Sequence, residues 1–170
     1  MSAHVVVGGF WGDEGKGLVS AWMNYKTKSV AVFRGCGGSN PEHGMFVNNK
    51  YLKTNQLPLG WILSNCFIGL GPGTAIDISK FLFEIRKLDL DPGRVKVDYR
   101  CPIITPENVQ EEINSSNMNN IGSTKSGTGI AMAHSALRTA PIAKNARELL
   151  PYLDDISERA NSLVSKYHIG

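Results

Sequence analysis

VVVGGFWGDEGKGLV, at residues 5–19, is the segment from which the architecture of this chain is predicted. Its three valines are β-branched and predict a buried strand at 5–7, and the glycines after them predict a turn that opens a helix near Gly15. Glycines let the backbone approach an anion, while N–H groups and the helix N-terminus supply positive potential. This order of strand, turn and helix predicts a phosphate cradle in which Lys16 lies against phosphate oxygens.

The spacing in this first loop differs from that of a standard P-loop. Five residues separate Gly9 from Gly15 where four are expected, and Gly17 stands where Ser or Thr would hold Mg²⁺. Asp13 and Glu14 therefore lie inside the loop, where two carboxylates repel a phosphate unless a metal ion or a substrate proton compensates. Asp13 is the candidate general base or metal ligand. The alternative is an acidic pair that caps the following helix.

Two further glycine-rich loops follow. GCGGSN at 35–40 ends a predicted strand over 29–34, and ligands gather at the carboxyl ends of parallel strands. His43 lies just beyond this second loop, and an imidazole can donate or accept a proton near neutral pH. GSTKSGTG at 122–129 is the third loop and opens another predicted helix, so its hydroxyls and N–H groups suit a nucleotide monophosphate. A flexible surface loop is the alternative there.

The remaining patterns alternate between strand and helix. They predict an α/β fold in one domain over 1–170, with a mostly parallel sheet flanked by helices and a P-loop-like nucleotide-binding architecture. The predicted elements begin with a helix over 15–25 that turns Leu18, Val19 and Trp22 toward the sheet, a hairpin over 45–53 and a strand at 66–70. One or two further strands are predicted over 95–97 and 101–104, and helices are predicted over 78–88, from Pro106 and from Pro151.

Composition limits the classes of function. Of the 170 residues, 42% are hydrophobic and 19% are charged, which is typical of a globular protein and excludes a disordered or fibrous chain. No segment approaches the ~18 apolar residues of a membrane span, and no secretory signal is visible. The net charge of +3 is scattered, so phosphorylated small molecules fit better than nucleic acid. Three widely spaced cysteines predict no disulfide framework and a reducing, cytoplasmic setting.

Five blocks of the sequence resemble the adenylosuccinate synthetase family, in the same order along the chain. They are WGDEGKG at 11–17, RGCGGSNPEH at 34–43, LPLGWI at 57–62, the segment 68–77 and IGSTKSGTG at 121–129. Members of this family join L-aspartate to the 6-position of IMP with hydrolysis of GTP. The resemblance therefore implies a GTP-dependent carbon–nitrogen ligase of purine nucleotide biosynthesis that uses Mg²⁺ and acts as a cytoplasmic homodimer.

The resemblance also implies roles for particular residues. Asp13 would remove the N1 proton of a 6-oxopurine nucleotide, His43 would stabilise or protonate O6, and Lys16 would neutralise charge on the transferred phosphoryl group. The other matched positions are Gly12, Glu14, Gly15, Lys16 and Gly17 for the triphosphate, Asn40, Ser123, Thr124 and Gly127 for the nucleotide monophosphate, Arg138 for the monophosphate of the partner subunit, and Asp13 and Glu42 for Mg²⁺.

Several positions depart from the family pattern. Pro41, Glu42 and Gly44 replace Ala, Gly and Thr around the histidine of the second loop, and Lys125-Ser126 replaces Gly-Arg in the third. The charge of Glu42 lies where phosphates should pass, so its side chain either turns outward or joins the metal. Family segments that grip aspartate and read guanine do not occur in these 170 residues. Two alternatives stay open: a phage-type synthase that adds aspartate to dGMP, often with ATP, and a non-catalytic nucleotide-binding or dimerisation module.

Overall fold

The computed structural model describes residues 2–9, Gly12 and 14–167. In chain order the strands are β1 (Ala31–Gly37), β2 (His43–Val47), β3 (Lys50–Thr54), β4 (Phe67–Thr74), β5 (Val95–Asp98) and β6 (Leu153–Asp154). The α-helices are α1 (Lys16–Thr27), α2 (Ile78–Lys87), α3 (Pro106–Asn114), α4 (Ser116–Asn120), α5 (Thr128–Ala136) and α6 (Ile156–Tyr167). Short 3-10 helices lie at Leu59–Ile62, Ala143–Asn145 and Arg147–Tyr152. Within the described ranges, no helix is long and apolar enough to cross a bilayer.

The central sheet is parallel, which confirms the predicted fold class. Its strands pair in the order β1-β4-β5-β6, with helices packed against them. β2 and β3 form a separate antiparallel hairpin, in which Asn48 and Asn49 take the positive φ angles of a tight turn, 49° and 61°. Because parallel strands end at a common edge, the second loop leaves β1 at the edge where ligands bind in open α/β sheets.

The apolar core lies between α2 and the sheet. Ile68 and Leu70 of β4 and Val95 and Val97 of β5 are fully buried there against Phe81 of α2. The helix predicted over 78–88 is confirmed as α2, and its side chains Phe81 and Ile85 lie in the core that the sheet shares.

The N-terminal segment differs from the prediction. Residues 2–8 form no strand, and Val5 and Val7 are 85% and 80% exposed, so the buried strand predicted at 5–7 is wrong. Three β-branched residues favour a strand only where a neighbouring strand supplies hydrogen bonds and packing. β1 pairs with β4, and no other described strand lies beside it or beside 5–7.

The buried face of α1 was also predicted wrongly. The helix forms from Lys16, but it turns Ala21 and Asn24 inward, where it contacts β2 and the 3-10 helix Leu59–Ile62. The predicted inward residues Leu18, Val19 and Trp22 are exposed instead. Helical spacing shows which residues share one side of a helix, but the elements packed against the helix determine which side is buried.

The C-terminal region starts its helix later than predicted. Leu153 belongs to β6, and α6 begins at Ile156, not at Pro151. The cause is the fully buried carboxylate of Asp98, which accepts the backbone N–H of Ile156 at 3.1 Å and is held by the guanidinium of Arg100 at 2.8 Å. The apolar periodicity of the helix could not reveal this contact, because Asp98 is distant from Ile156 in the sequence. Of the one or two strands predicted over 95–97 and 101–104, the first is β5, whereas residues 101–104 make isolated bridges.

Two charged side chains, Glu84 and Arg34, hold the segment 55–57 that follows β3. The carboxylate of Glu84, 4% exposed, accepts the backbone N–H of Asn55, of Gln56 at 3.1 Å and of Leu57 at 2.9 Å. From the other side, the guanidinium of Arg34 donates to the carbonyls of Asn55 at 2.7 Å and Gln56 at 3.0 Å. The segment is thus fixed by hydrogen bonds of two kinds: its N–H groups donate to the Glu84 carboxylate, and its carbonyls accept from the Arg34 guanidinium.

We expect Glu84→Gln to lower the free energy of unfolding by about 2–3 kcal/mol, because an NH₂ group then faces backbone N–H donors in a buried place. Glu148→Gln, at an exposed position, is the matched control and should change stability by less than about 0.5 kcal/mol. Urea unfolding followed by circular dichroism measures both. Equal stability of the two variants would show that the Glu84 contacts do not hold the segment.

Candidate functional site

The first loop leads into the N-terminus of α1. Gly12 and Gly15 have positive φ angles of 128° and 69°, which glycine adopts readily. Gly15 is the N-cap of α1 and makes no side-chain hydrogen bond there. Backbone N–H groups in the first turn of a helix attract an anion. The ammonium of Lys16 forms an ion pair with Glu14. Asp13, the predicted general base, lies outside the described residues.

His43 lies directly against the start of α1. A β-carbon added to Gly17 would lie 2.7 Å from Nδ1 of His43. The imidazole therefore occupies the space that a larger side chain at 17 would need, which explains why glycine stands where a P-loop has Ser or Thr. This contact brings the first loop and the residue after the second loop together.

The pKa of His43 is lowered to about 4. Partial burial is the largest cause, and the positive charges of Arg34 and Lys16 add to it. The imidazole is consequently neutral near pH 7. It can donate one N–H hydrogen bond to a developing oxyanion, in the way that neutral hydrogen-bond donors stabilise charge in a transition state.

The third loop packs on the second. A β-carbon added to Gly38 would lie 2.6 Å from Oγ1 of Thr128, the first residue of α5. Arg34 also holds Gly38 in place, because Nη2 of its guanidinium donates a hydrogen bond to the Gly38 carbonyl at 2.6 Å. The second and third loops therefore meet at Gly38 and Thr128, and the start of α1 meets His43, which follows the second loop.

Inside the third loop, the acidic side chain of Glu112 organises the backbone. This carboxylate of α3 is 3% exposed and accepts the hydroxyl of Ser123 and the backbone N–H of Gly127. Sequence reasoning did not single out Glu112. The available signal was its position three residues after Val109, which puts a carboxylate on the inward stripe of an amphipathic helix.

Other predicted site residues lie around these contacts. Asn40 and Thr124 are exposed, on the second and third loops. Glu42 turns outward and forms an ion pair with Lys53 of the hairpin at 2.6 Å, and this hydrogen bond raises the pKa of Lys53. The sequence allowed the Glu42 side chain either to turn outward or to join the metal, and in the structure it is turned outward toward Lys53.

Arg138 lies away from the third loop. It follows the C-terminal end of α5, so the nine-residue helix, about 13 Å long, separates it from Thr128. Within one chain, the structure does not bring Arg138 to the predicted monophosphate residues.

The prediction of a Mg²⁺ site rests on the sequence alone. Over residues 2–9, 12 and 14–167, no group of three or more His, Cys, Asp or Glu side chains is placed to hold a metal ion. Of the two predicted ligands, Glu42 is engaged by Lys53 and Asp13 is not described. The described side chains therefore do not by themselves form a site that fits Mg²⁺.

Comparison with known sequences identifies relatives along nearly the whole chain. The family model of adenylosuccinate synthetase matches residues 5–168. The adenylosuccinate synthetases of Thermococcus sibiricus and Archaeoglobus fulgidus are 38% and 33% identical to it, over 98% and 96% of this chain. These alignments cover 50% and 49% of the two relatives, so the chain spans about half the length of the curated relatives it matches.

Two solved structures of ligand-bound enzymes have the same fold. The fully ligated adenylosuccinate synthetase from Plasmodium falciparum has a TM-score of 0.70 at 25% identity, over 93% of this chain and 38% of that one. The succinoaminodeoxyadenylate synthetase of cyanophage S-2L, bound to dGMP and to dATP as an energy donor, has a TM-score of 0.74 at 22% identity, over 92% and 46%. The second likeness concerns the fold alone.

The low pKa of His43 predicts a specific pH dependence. We expect its imidazole to titrate with a pKa of about 4 in the folded chain, against an ordinary value of 6.5. Because the unfolded chain then binds the proton more readily, the stability linked to neutral His43 is present above pH 6.5 and is lost as the pH falls toward 4. NMR titration measures this pKa, and His43→Asn assigns the resonance and removes the linked stability change. A His43 pKa near 6.5 would contradict the packing against α1.

Proposed function

Because this chain belongs to the adenylosuccinate synthetase family, we propose that it binds the nucleotide and performs the chemistry of a ligase that joins L-aspartate to IMP with hydrolysis of GTP. The observation that carries this proposal is the contact of His43 with the start of α1. It puts a neutral imidazole beside a helix N-terminus, and the N–H groups of a helix N-terminus attract phosphate. This combination suits phosphoryl transfer to a purine oxygen.

In the proposed reaction, Asp13 removes the N1 proton of IMP and O6 attacks the γ-phosphoryl group of GTP. The O6–phosphorus bond forms while the bond to the leaving GDP breaks. His43 stabilises the charge on O6 by donating its N–H, and Lys16 moves from Glu14 to the phosphate oxygens. The aspartate amine then bonds to C6 and displaces phosphate. Mg²⁺ would supply further charge neutralisation on the phosphates, with Asp13 as its expected ligand.

A homodimer is part of the proposal. Arg138 lies at the far end of α5 from the third loop of its own chain, which fits an arginine that contacts the monophosphate bound to a second copy. A cytoplasmic location remains a prediction from the cysteine pattern, and all three cysteines are free thiols in the structure.

The second candidate function is a nucleotide-binding module without catalysis. It is motivated by Glu42, a carboxylate that stands where the family pattern has Gly and that forms an ion pair with Lys53. Such a module would bind phosphate without positioning the second reactant, and positioning supplies roughly 7–11 kcal/mol of a reaction barrier. A phage-type reaction with dGMP and ATP is the remaining substrate alternative.

One assay separates these functions. The purified chain is incubated with IMP or dGMP, GTP or ATP, Mg²⁺ and L-aspartate, and released phosphate and the succinylated nucleotide are measured. We expect product from IMP with GTP. If product forms with dGMP but not with IMP, dGMP is the substrate. If IMP binds but no product forms, the chain is a nucleotide-binding module and the ligase function is contradicted.

Two variants control this assay. Asp13→Ala should abolish turnover, because no other base is proposed for N1, while the circular dichroism spectrum and the melting temperature stay unchanged. Glu158→Ala, at an exposed position on α6, should keep full turnover. Substantial residual rate in Asp13→Ala would refute its role as the base.

A further inference from the structure

His43 lies at the end of the hairpin that is away from its turn. It is the first residue of β2 and pairs with Thr54, the last residue of β3. The terminal pairs of an element open easily unless further contacts hold them. Because the imidazole of His43 lies against Gly17, the closure of this end of the hairpin determines where the imidazole lies.

Backbone groups beyond this pair are engaged elsewhere. On the β3 side, the N–H groups of Asn55 and Gln56 donate to the carboxylate of Glu84. On the β2 side, Pro41 has no N–H to donate, because its nitrogen belongs to the ring. The carbonyl of Pro41 is partly buried and needs a donor, which a side chain can supply.

The side chain of Asn55 is this donor. Its Nδ2 donates to the carbonyl of Pro41 at 2.8 Å. The backbone of Asn55 is itself fixed, because its N–H donates to Glu84 and its carbonyl accepts Nη1 of Arg34 at 2.7 Å. The hydrogen bond thus joins Pro41, two residues before His43, to a segment that two charged side chains hold in place.

The other side-chain contact near this end of the hairpin lies at the surface. Glu42 forms an ion pair with Lys53 at 2.6 Å, but the two side chains are 43% and 51% exposed. Exposed ion pairs contribute little to stability, because water and salt screen their charges and two long side chains lose freedom. The partly buried hydrogen bond from Asn55 to Pro41 is therefore the contact that closes this end.

We propose that Asn55 is a positioning residue for His43. Its side-chain amide, through the carbonyl of Pro41, closes the end of the hairpin and holds the imidazole against the start of α1. In this role Asn55 acts through the backbone of 41–43 and not by contact with the nucleotide. The inference rests on the proposed function, in which His43 stabilises charge on O6 of IMP, and it names the residue that keeps the imidazole in place.

The test removes only the amide donor. Asn55→Ala keeps the backbone groups that contact Glu84 and Arg34. We expect kcat to fall about fivefold, the effect of one lost hydrogen bond, with an unchanged KM for IMP, because His43 acts in the transition state. By NMR titration, the pKa of His43 should rise from about 4 toward 6.5, because the imidazole becomes less buried and moves away from Arg34 and Lys16.

Two further variants and one direct measurement control this test. Asn55→Gln keeps an amide donor, so kcat and the pKa of His43 should stay close to those of the unsubstituted chain. Asn161→Ala, at an exposed position on α6, should change neither. In the unsubstituted chain, a scalar coupling through the hydrogen bond should join Nδ2 of Asn55 to the carbonyl carbon of Pro41. Absence of this coupling would overturn the inference even if Asn55→Ala does not fold.

The outcomes separate this inference from the function on which it rests. An unchanged pKa of His43 in Asn55→Ala overturns the inference and leaves the function intact. An equal loss of turnover in Asn55→Gln also overturns it, because the amide donor would then not matter. If the unsubstituted chain forms no product, but the pKa of His43 rises in Asn55→Ala and not in Asn55→Gln, the function fails and the positioning of His43 stands. If no product forms and this pKa does not respond, both fail.

Discussion

The guanidinium of Arg34 connects the parts of the chain from which the candidate site is built. It extends from β1 and donates to the carbonyls of Asn55, Gln56 and Gly38. The first two belong to the segment that follows the hairpin, and the third belongs to the second loop. Burial of a charged group is costly unless its donors are satisfied, and here carbonyls satisfy them while the carboxylate of Glu84 holds the same segment. The hairpin that carries His43 is thereby fixed against the sheet edge.

Glycine at two positions then allows the loops to approach one another. Gly17 leaves room for the imidazole of His43, and Gly38 leaves room for Thr128. In both places a backbone without a side chain meets a polar group, so any β-carbon would separate the loops that the site requires. The low pKa of His43 follows from this arrangement, because the imidazole is partly buried and lies near the positive charges of Arg34 and Lys16.

Local signals in the sequence predicted the elements that local interactions determine. Asn48-Asn49 indicated the hairpin, and Thr105-Pro106 indicated α3, where Thr105 and Asn108 form a capping box. The strand at 5–7, the buried face of α1 and the start of α6 were wrong, because each depends on a neighbour distant in sequence. The glycine-rich loops were found from spacing, whereas Glu112 was missed because one glutamate in a polar helix looks solvated.

The convergence of the three loops is tested most directly by nuclear Overhauser effects in the free chain, without any ligand or turnover. Our structure predicts cross-peaks between the His43 ring protons and the α-protons of Gly17, and between the Thr128 methyl group and the α-protons of Gly38. Observation of both pairs would establish that these segments meet. If neither pair appears in a chain that shows the Phe81 to Tyr152 ring contact of the core, the segments do not meet and the proposed ligase function is contradicted.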